Sequence, residues 1–367
     1  MKLRYLAKYV LCICLYYSGI FFLARAIRQW RGNYRVMILT YHSFSDHVRY
    51  LDMAVSPSLF TEQVQYLCKV FRVQTLSSVL AARESTPSFR GDLAVITVDD
   101  GYADNFQPLV EAATRFGAPS TLYLATHCID AGEPTTVMWI MLAVHHAAVD
   151  SVDLSAVGLG PVWIRTPIEK ESAIRLIDEA LKPLSLSQRS QAIEELLERS
   201  GAEALIRQLG QSVMLQWHQV QLMHRAGIEF GGHTLTHPVL SLLDPAAARD
   251  EIVGSVQRVR EMVGVEEVTF AYPYGGQTEV NEVVVEICRK SGARAAVMLV
   301  EGDMPGNDMF RIPRMMVTSD RSTNPWGRFS QAVWACELEG LANFARNLLA
   351  SSSKFSGSTS DSYEVRS

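Results

Sequence analysis

The chain has 367 residues and a mass of 40.9 kDa, which is enough for two domains or for a single α/β barrel with insertions. With 48% hydrophobic and 20% charged residues it can bury a sizeable core, which excludes a wholly disordered, collagen-like or low-complexity chain. Its formal charge of −5 argues against a broad nucleic-acid-binding surface, so no nucleic-acid partner is expected.

An uncharged apolar segment occupies residues 9–24 and has basic residues on both sides. It is short for a spanning helix, which needs about 20 apolar residues. Three modes remain open: a spanning anchor or uncleaved signal, a signal cleaved at the small-x-small site Ala24-Arg25-Ala26, and an interfacial helix. We expect residues 1–31 to be a membrane segment or signal and the protein to be membrane-associated in a bacterial cell envelope. Positive charge on both sides leaves the membrane face undecided.

After Arg31, short β-branched runs alternate with segments of helical period, which is typical of βαβ units. The predicted strands are 36–41, 93–98, 121–125, 228–231, 268–271 and 294–300. The predicted helices are 59–70, 106–116, 217–226, 246–262 and 280–291. Asp244 followed by Pro245 supplies an N-cap and a first-turn proline for the fourth of these helices.

A helix-rich interval at 127–215 interrupts the alternation and predicts an inserted lid or subdomain. Such an insertion either shapes a substrate site or only packs at the periphery. We therefore expect one α/β domain at 32–350 that contains this insertion. The Ser-rich tail at 351–367 is predicted to be disordered.

Two adjacent carboxylates, Asp99 and Asp100, follow an apolar strand-like run. Neighbours in a strand point to opposite faces, so both can serve one site only if the chain turns, and Gly101 permits a turn. Carboxylates that share a cleft repel each other unless a cation neutralises one of them. One aspartate could then bind a metal while the other acts as a general base; the alternative is a surface turn.

Three histidines also follow predicted strands. His233 and His237 have the spacing i, i+4, so they could hold one metal from a helical turn, although Pro238 favours a loop. With Asp100 they would form a two-histidine, one-carboxylate site with open coordination positions. His42 lies at a strand end, where it could be an acid that faces the metal or a structural residue.

These strings resemble the polysaccharide deacetylases, also called NodB-homology proteins or carbohydrate esterase family four. Residues 97–101 (TVDDG) are similar to the family's first motif, TFDDG, and residues 233–238 (HTLTHP) match the second, H-[S/T]-x-x-H-P. Residues 270–275 (FAYPYG) correspond to the third, which forms a groove wall. The resemblance covers about 36–317 and implies a distorted (β/α) barrel that removes an acetyl group from an N-acetylated sugar with the help of a metal.

Carried over by position, the resemblance makes Asp99 the general base. It makes Asp100, His233 and His237 the ligands of a divalent metal, with zinc as the first candidate. Pro273 and Tyr274 would contact substrate, and the Tyr274 N–H would help to hold the oxyanion. The implied substrate is an N-acetylated glycan or glycolipid.

Two departures from the family pattern matter. Its third motif usually carries an arginine that orients the base, where this chain has Ala271; Arg311 or Arg314 could replace it. Many members have a catalytic acid in a C-terminal L-x-H motif, but no histidine follows His237. A branch that acts on exopolysaccharides supplies this histidine from an N-terminal Y-H, and residues 41–42 (YH) are similar, so His42 is the predicted acid.

The predicted activity is metal-dependent N-deacetylation of an amino sugar in a polysaccharide or glycan precursor. An amidase or deformylase acting on a lipid-linked sugar is an alternative, because a fold does not fix its substrate. A non-haem iron oxygenase would also use two histidines and a carboxylate, but Asp99 and His42 favour hydrolysis. A non-catalytic glycan-binding module would have no need of base, acid and ligands together.

Overall fold

The computed structural model describes residues 2–46, 53–85, 91–302, 304 and 308–341. The chain divides into two compact units, one formed by Met1–Tyr34 with Thr318–Ser367 and the other by Arg35–Val317. The tail at 351–367, for which disorder is predicted, lies outside the described residues.

The strands and helices alternate along most of the larger unit. The strands are β1 (Val36–Tyr41), β2 (Arg72–Gln74), β3 (Leu93–Val98), β4 (Ser120–Leu124), β5 (Ser151–Leu154), β6 (Leu159–Trp163), β7 (Glu229–Gly232), β8 (Phe270–Ala271), β9 (Ala296–Met298), β10 (Ile312–Pro313) and β11 (Met315–Met316). The helices are α1 (Lys2–Tyr17), α2 (Ile20–Trp30), α3 (Pro57–Val70), α4 (Leu76–Ser85), α5 (Phe106–Phe116), α6 (Thr126–Ala131), α7 (Thr136–His146), α8 (Pro167–Leu181), α9 (Leu186–Arg199), α10 (Glu203–Gly210), α11 (Trp217–Arg225), α12 (Pro245–Val263), α13 (Glu282–Lys290) and α14 (Gln331–Leu338).

The main sheet is parallel and nearly closes on itself. Its order is β10-β9-β8-β7-β4-β3-β1-β11, and β2 pairs with β3 outside this path. The strands at the two ends of the order, β10 and β11, are separated in sequence only by Arg314. This arrangement is the distorted (β/α) barrel that the resemblance implied.

The buried strands follow the sequence pattern most closely. β1, β3 and α5 have the predicted bounds, and all six residues of β3 are buried, as expected for a parallel strand covered on both faces. The predicted N-cap is also present, because the Asp244 carboxylate accepts hydrogen bonds from the N–H groups of Ala246 and Ala247 at 3.0 Å. β8 begins two residues later than predicted and β9 is shorter at both ends, because strand pairing covers only part of each apolar run.

The interval 127–215 is largely helical, as predicted, and contains most of α6 together with α7 to α10. It also holds an antiparallel hairpin, β5–β6, that the sequence analysis did not predict. α8 begins with a capping box, in which the Thr166 side chain accepts from the Glu169 N–H and the Glu169 carboxylate accepts from the Thr166 N–H. The insertion is therefore a folded part of the larger unit.

In the smaller unit, α1 packs against α14. The Lys8 ammonium lies 2.6 Å from the Glu337 carboxylate, and both side chains are buried. In the described part of the chain, no single helix has the length and hydropathy of a membrane span. Tyr5–Tyr17 and Ile20–Trp30 meet that test only as a pair, and the pair is bent by 63°.

Candidate active site

Asp99 and Asp100 lie directly after β3, and both are buried. The expected turn is present: Asp100 has φ 74° and Gly101 has φ 86°. A side chain at position 101 would place its Cβ 2.9 Å from Leu124 Cδ2, so glycine suits both the conformation and the space. The turn allows both carboxylates to line one cavity.

His233 and His237 follow β7 in a loop rather than a helical turn, and His237 has φ 59°. Their Nε2 atoms lie 3.5 and 3.2 Å from Asp100 Oδ1. One ligand atom from each of the three residues lies within 4.8 Å of the others. The predicted two-histidine, one-carboxylate set is therefore assembled in space, from the ends of β3 and β7.

The chemistry of this donor set fits a divalent cation. Asp100 Oδ1 is buried and has no hydrogen-bond partner among the described residues, although it faces two imidazole nitrogens. His233 Nδ1 lies 2.7 Å from the Ala271 carbonyl, so an N–H at Nδ1 would donate to it and leave the Nε2 lone pair for a metal. Burial alone would raise the pKa of Asp100, but the two histidines lower it well below its usual value and favour the carboxylate that a metal requires.

Glu251, on α12, holds the histidine loop. Its Oε2 accepts hydrogen bonds from the N–H groups of Leu235 and Thr236 at 2.8 and 2.9 Å, and its Oε1 accepts from the Thr236 hydroxyl. Thr234 Oγ1 accepts from the His237 N–H at 2.9 Å. Glu251 could not be predicted from the sequence, because no local pattern connects a residue on the following helix to this loop.

We expect Glu251→Gln to weaken zinc binding by about 10- to 100-fold, because the uncharged amide is a weaker acceptor than the carboxylate and its NH2 cannot accept from the Thr236 hydroxyl. Competition with a chromophoric chelator measures this affinity. The matched control is Glu261→Gln, since Glu261 lies on the same helix and its side chain is mostly exposed. Unchanged zinc affinity in Glu251→Gln would contradict the supporting role of Glu251.

The base candidate Asp99 is held by Arg314. The guanidinium lies at the seam between β10 and β11 and donates from Nη1 and Nη2 to the two Asp99 oxygens, each at 2.7 Å. It also donates to Thr97 Oγ1 at 3.0 Å and to the Met298 carbonyl at 3.3 Å. Burial would raise the pKa of Asp99, but the charge and hydrogen bonds of Arg314, together with His233, lower it below its usual value.

Of the two arginines predicted as replacements at position 271, only Arg314 contacts Asp99 among the described residues. Arg311 pairs instead with Asp308 at 3.0 Å and Glu282 at 2.7 Å. Ala271 itself is buried in the apolar core of the barrel. The contact to Asp99 therefore comes from the seam between β10 and β11 rather than from β8.

His42 lies at the end of β1, and its Nε2 is 4.0 Å from Asp99 Oδ2. Asn105 donates from Nδ2 to the His42 carbonyl at 2.8 Å, and the Ser43 hydroxyl donates to Asp104. Asn105 makes no side-chain cap to α5 and fixes the His42 backbone instead. Burial lowers the pKa of His42, although Asp99 and Asp100 act in the opposite direction.

Pro273 and Tyr274 follow β8, and Tyr274 has φ 61°. The Tyr274 hydroxyl donates to Asp178 Oδ1 at 3.1 Å, and Asp178 belongs to α8 in the insertion. In the described part of the chain no acceptor takes the Tyr274 N–H, which leaves it available to a ligand. The insertion is thus not merely peripheral, because it fixes a side chain of the third motif.

One cavity of about 210 Å³ is lined by His42, Asp99, Asp100, Asp178, His233, His237, Tyr274 and Arg314, whereas Pro273 is not among its lining residues. Its polar side carries the base, acid and metal-ligand candidates, with Arg314 behind Asp99. Its other side is apolar and comes from the insertion and from segments near β1, β9 and β11. The apolar lining residues are Met53, Val137, Met138, Met141, Leu299 and Met316.

Four residues other than glycine have positive φ among those described: Asp100, Thr234, His237 and Tyr274. All four lie in the three motifs. Left-handed backbone at such residues is strained and persists only where the surroundings impose it. The strain is therefore concentrated where the ligand and oxyanion-donor candidates are presented.

A family model described as polysaccharide deacetylase matches residues 169–296, which include both histidines but not Asp99 or Asp100. No curated protein gives a significant sequence match to the chain. The structure is similar to that of the Streptococcus pyogenes deacetylase PplD in complex with acetate, with a TM-score of 0.51 and 15% identity over 80% of this chain and 96% of that one. It is also similar to IcaB from Ammonifex degensii, with a TM-score of 0.50 and 18% identity over 82% of this chain and 97% of that one.

These comparisons confirm the resemblance to the polysaccharide deacetylases that the three motifs indicated. At identities this low the structural matches establish the fold alone. The family match covers about a third of the chain and indicates similarity to polysaccharide deacetylases.

Proposed function

We propose that the chain is a metal-dependent N-deacetylase that acts on an amino sugar in a polysaccharide or glycan precursor. One observation carries the proposal: a base candidate fixed by Arg314 lies beside a buried Asp100, His233, His237 set in one cavity. A zinc ion or similar cation held by these three residues would polarise the amide carbonyl and lower the pKa of water. Three protein ligands leave coordination positions open for that chemistry.

In the proposed reaction Asp99 accepts a proton from the attacking water as the water oxygen bonds to the amide carbon. Arg314 keeps the Asp99 carboxylate oriented, and each oxygen retains a lone pair besides the one used by the arginine. The carbon–nitrogen bond then breaks, and the departing nitrogen takes a proton from His42. His42 Nε2 lies 4.0 Å from Asp99 Oδ2, which is longer than a hydrogen bond, so the two groups can face the same amide without sharing a proton directly. The products are acetate and a free amino sugar.

The carbonyl oxygen gains negative charge when water adds, so it needs hydrogen-bond donors that are already in place. The Tyr274 N–H meets this requirement in our proposal, because its backbone is left-handed and no acceptor among the described residues takes its proton. Asp178 supports that position through the Tyr274 hydroxyl. Pro273 directly precedes Tyr274, and its ring fixes its own φ, which restricts the backbone on the N-terminal side of Tyr274.

The apolar side of the cavity suits the acyl group of the substrate. Enlarging it with Met141→Ala should raise kcat/KM for an N-propionyl sugar relative to the N-acetyl sugar by about tenfold, because one methylene in an apolar pocket changes specificity by that order. The propionyl-to-acetyl ratio of the variant is divided by that of the wild type, so the intrinsic difference in amide reactivity cancels. A substitution outside the cavity, Leu222→Ala, is the control. An unchanged ratio in Met141→Ala would place the acyl group elsewhere.

Acetate release tests the activity directly. Metal-loaded wild type is offered N-acetylglucosamine oligomers and a lipid-linked N-acetyl sugar, with His42→Ala as the variant lacking the proposed acid. We expect metal-dependent release that falls by about 10²- to 10⁴-fold in the variant. Release of formate from an N-formyl sugar, without acetate release from either substrate, would instead support a deformylase. No release of either product would contradict the proposal.

A further inference from the structure

An apolar stripe runs along the exposed side of α1 and α2. On α1 it consists of Leu6, Val10, Cys14 and Tyr17, which have helical spacing and are all exposed. On α2 it continues with Ile20, Leu23, Ile27 and Trp30. Tyr17 is 74% exposed and Trp30 86%. Large apolar side chains recur here every three or four residues on two consecutive helices and are strongly exposed. Such a surface indicates contact with a lipid membrane or with another protein surface.

The opposite side of α1 packs against residues near the C-terminal end of the described chain. The Lys8 ammonium pairs with Glu337 at 2.6 Å and donates to the Asp320 carbonyl at 3.2 Å. The Tyr5 hydroxyl donates to the Thr323 carbonyl at 2.8 Å. A helix that crosses a bilayer contacts lipid or other spanning helices around its whole circumference. One side of α1 instead contacts the rest of its own unit, so the exposed side is the one that lipid could contact. Removal of α1 by cleavage would also take away the 2.6 Å partner of the buried Glu337.

The lengths of α1 and α2 also argue against a membrane-spanning helix. α1 has 16 residues and α2 has 11, and each is shorter than the roughly 20 residues that cross a bilayer. The 63° bend between them prevents the pair from acting as one straight span. Two short helices at this angle can both lie near one surface.

The charge of this segment selects the kind of surface. Residues 2–31 contain six Lys or Arg and no Asp or Glu, although the whole chain carries a formal charge of −5. Lys8 and Arg28 pair with Glu337 and Glu339, and the other four are Lys2, Arg4, Arg25 and Arg31. Basic residues beside an apolar stripe favour a negatively charged lipid surface over a neutral one. Tyr17 and Trp30 combine an apolar ring with a polar group, which suits the boundary between acyl chains and headgroups.

We propose that the apolar stripe lies in one leaflet of an anionic lipid bilayer, with α1 and α2 near the plane of the surface, and that it anchors the protein without crossing the membrane. Of the three modes that the sequence left open, this is the interfacial helix. The proposal does not depend on the proposed deacetylase activity.

Vesicle flotation of the full chain tests the surface. Vesicles of phosphatidylcholine with phosphatidylglycerol should carry the protein upward far better than phosphatidylcholine alone, and added salt should reduce binding. Leu23→Asp with Ile27→Asp should weaken binding by about a hundredfold, because two large apolar side chains no longer enter the lipid. The matched control is Ile168→Asp with Leu176→Asp, which makes the same change at exposed positions on α8.

Thiol labelling tests the topology. Cysteines are placed at the two ends of the helix pair, as Lys2→Cys and Asn33→Cys, in a chain whose exposed Cys14 and Cys68 are replaced by serine. A membrane-impermeant maleimide added outside preformed vesicles should label both positions. Protection of either position until detergent is added would establish a spanning segment and overturn the proposal.

A second copy of the chain is the competing occupant of the stripe. If the protein fails to float with anionic vesicles and forms a dimer that Leu23→Asp with Ile27→Asp dissociates, the proposal is wrong and the stripe is a dimer interface. Equal flotation by the stripe variant and the wild type would also overturn it.

Discussion

Replacing Asp99 by asparagine should lower kcat for deacetylation by about 10³-fold while zinc affinity stays close to that of the wild type. An amide cannot accept the proton of the attacking water, and general base catalysis is worth 10²- to 10⁴-fold. Asp99 lies beside the ligand candidates, but its two oxygens are engaged by Arg314 rather than directed to the metal site. Acetate release and zinc titration on the same preparation separate the two effects.

Asp100→Asn provides the necessary contrast, because the two aspartates are adjacent and differ only in what they face. Asp100 Oδ1 lies within 3.5 Å of both histidine Nε2 atoms, so its loss should weaken zinc binding and activity together. The opposite pattern, with zinc lost in Asp99→Asn and retained in Asp100→Asn, would exchange the two roles.

Asp99→Asn leaves the buried Arg314 without its counter-ion, at a cost of about 3 kcal/mol of stability, so thermal unfolding must accompany the assay.

The three motifs could be predicted from the sequence because each is local. Asp99 and Asp100 end a run that is buried at every position, and parallel strands bring their carboxyl ends to one edge of the sheet. That rule also places His42 and His233 at the same edge. The turn at Gly101 follows from a residue type that tolerates positive φ.

Of the residues that support the motifs, only Arg314 is predicted from the sequence, as one of two candidates with Arg311, and the sequence could not choose between them. Arg314 lies 215 residues after Asp99 and is placed by two strands of two residues each, too short to leave a periodic signal. Asp178 reaches Tyr274 from a helix of the insertion, and Glu251 reaches the histidine loop from α12. Each contact depends on how elements pack in three dimensions, which hydrophobic periodicity does not encode.

Arg314→Gln should lower kcat by about 10²-fold with little change in KM. The arginine positions the base Asp99 and has no proposed contact with the sugar. Its two parallel hydrogen bonds fix both oxygens of Asp99, and misplacing a catalytic group by about 1 Å can cost that factor. Arg314→Lys should recover only part of the loss, since an ammonium keeps the charge but cannot form the planar fork. A role limited to stability would instead lower the melting temperature and leave kcat per folded molecule unchanged.

Arg311→Gln is the matched control, because it removes the same group three residues away. Arg311 pairs with Asp308 and with the largely exposed Glu282, and contacts of this kind contribute little to stability. We expect its kcat and KM to remain within about twofold of the wild type. A loss in Arg311→Gln equal to that in Arg314→Gln would mean that the segment 311–314 acts through its backbone. If Arg314→Gln alone is affected, and Arg314→Lys lies between it and the wild type, an arginine at the seam of the barrel performs the task that the family assigns to position 271.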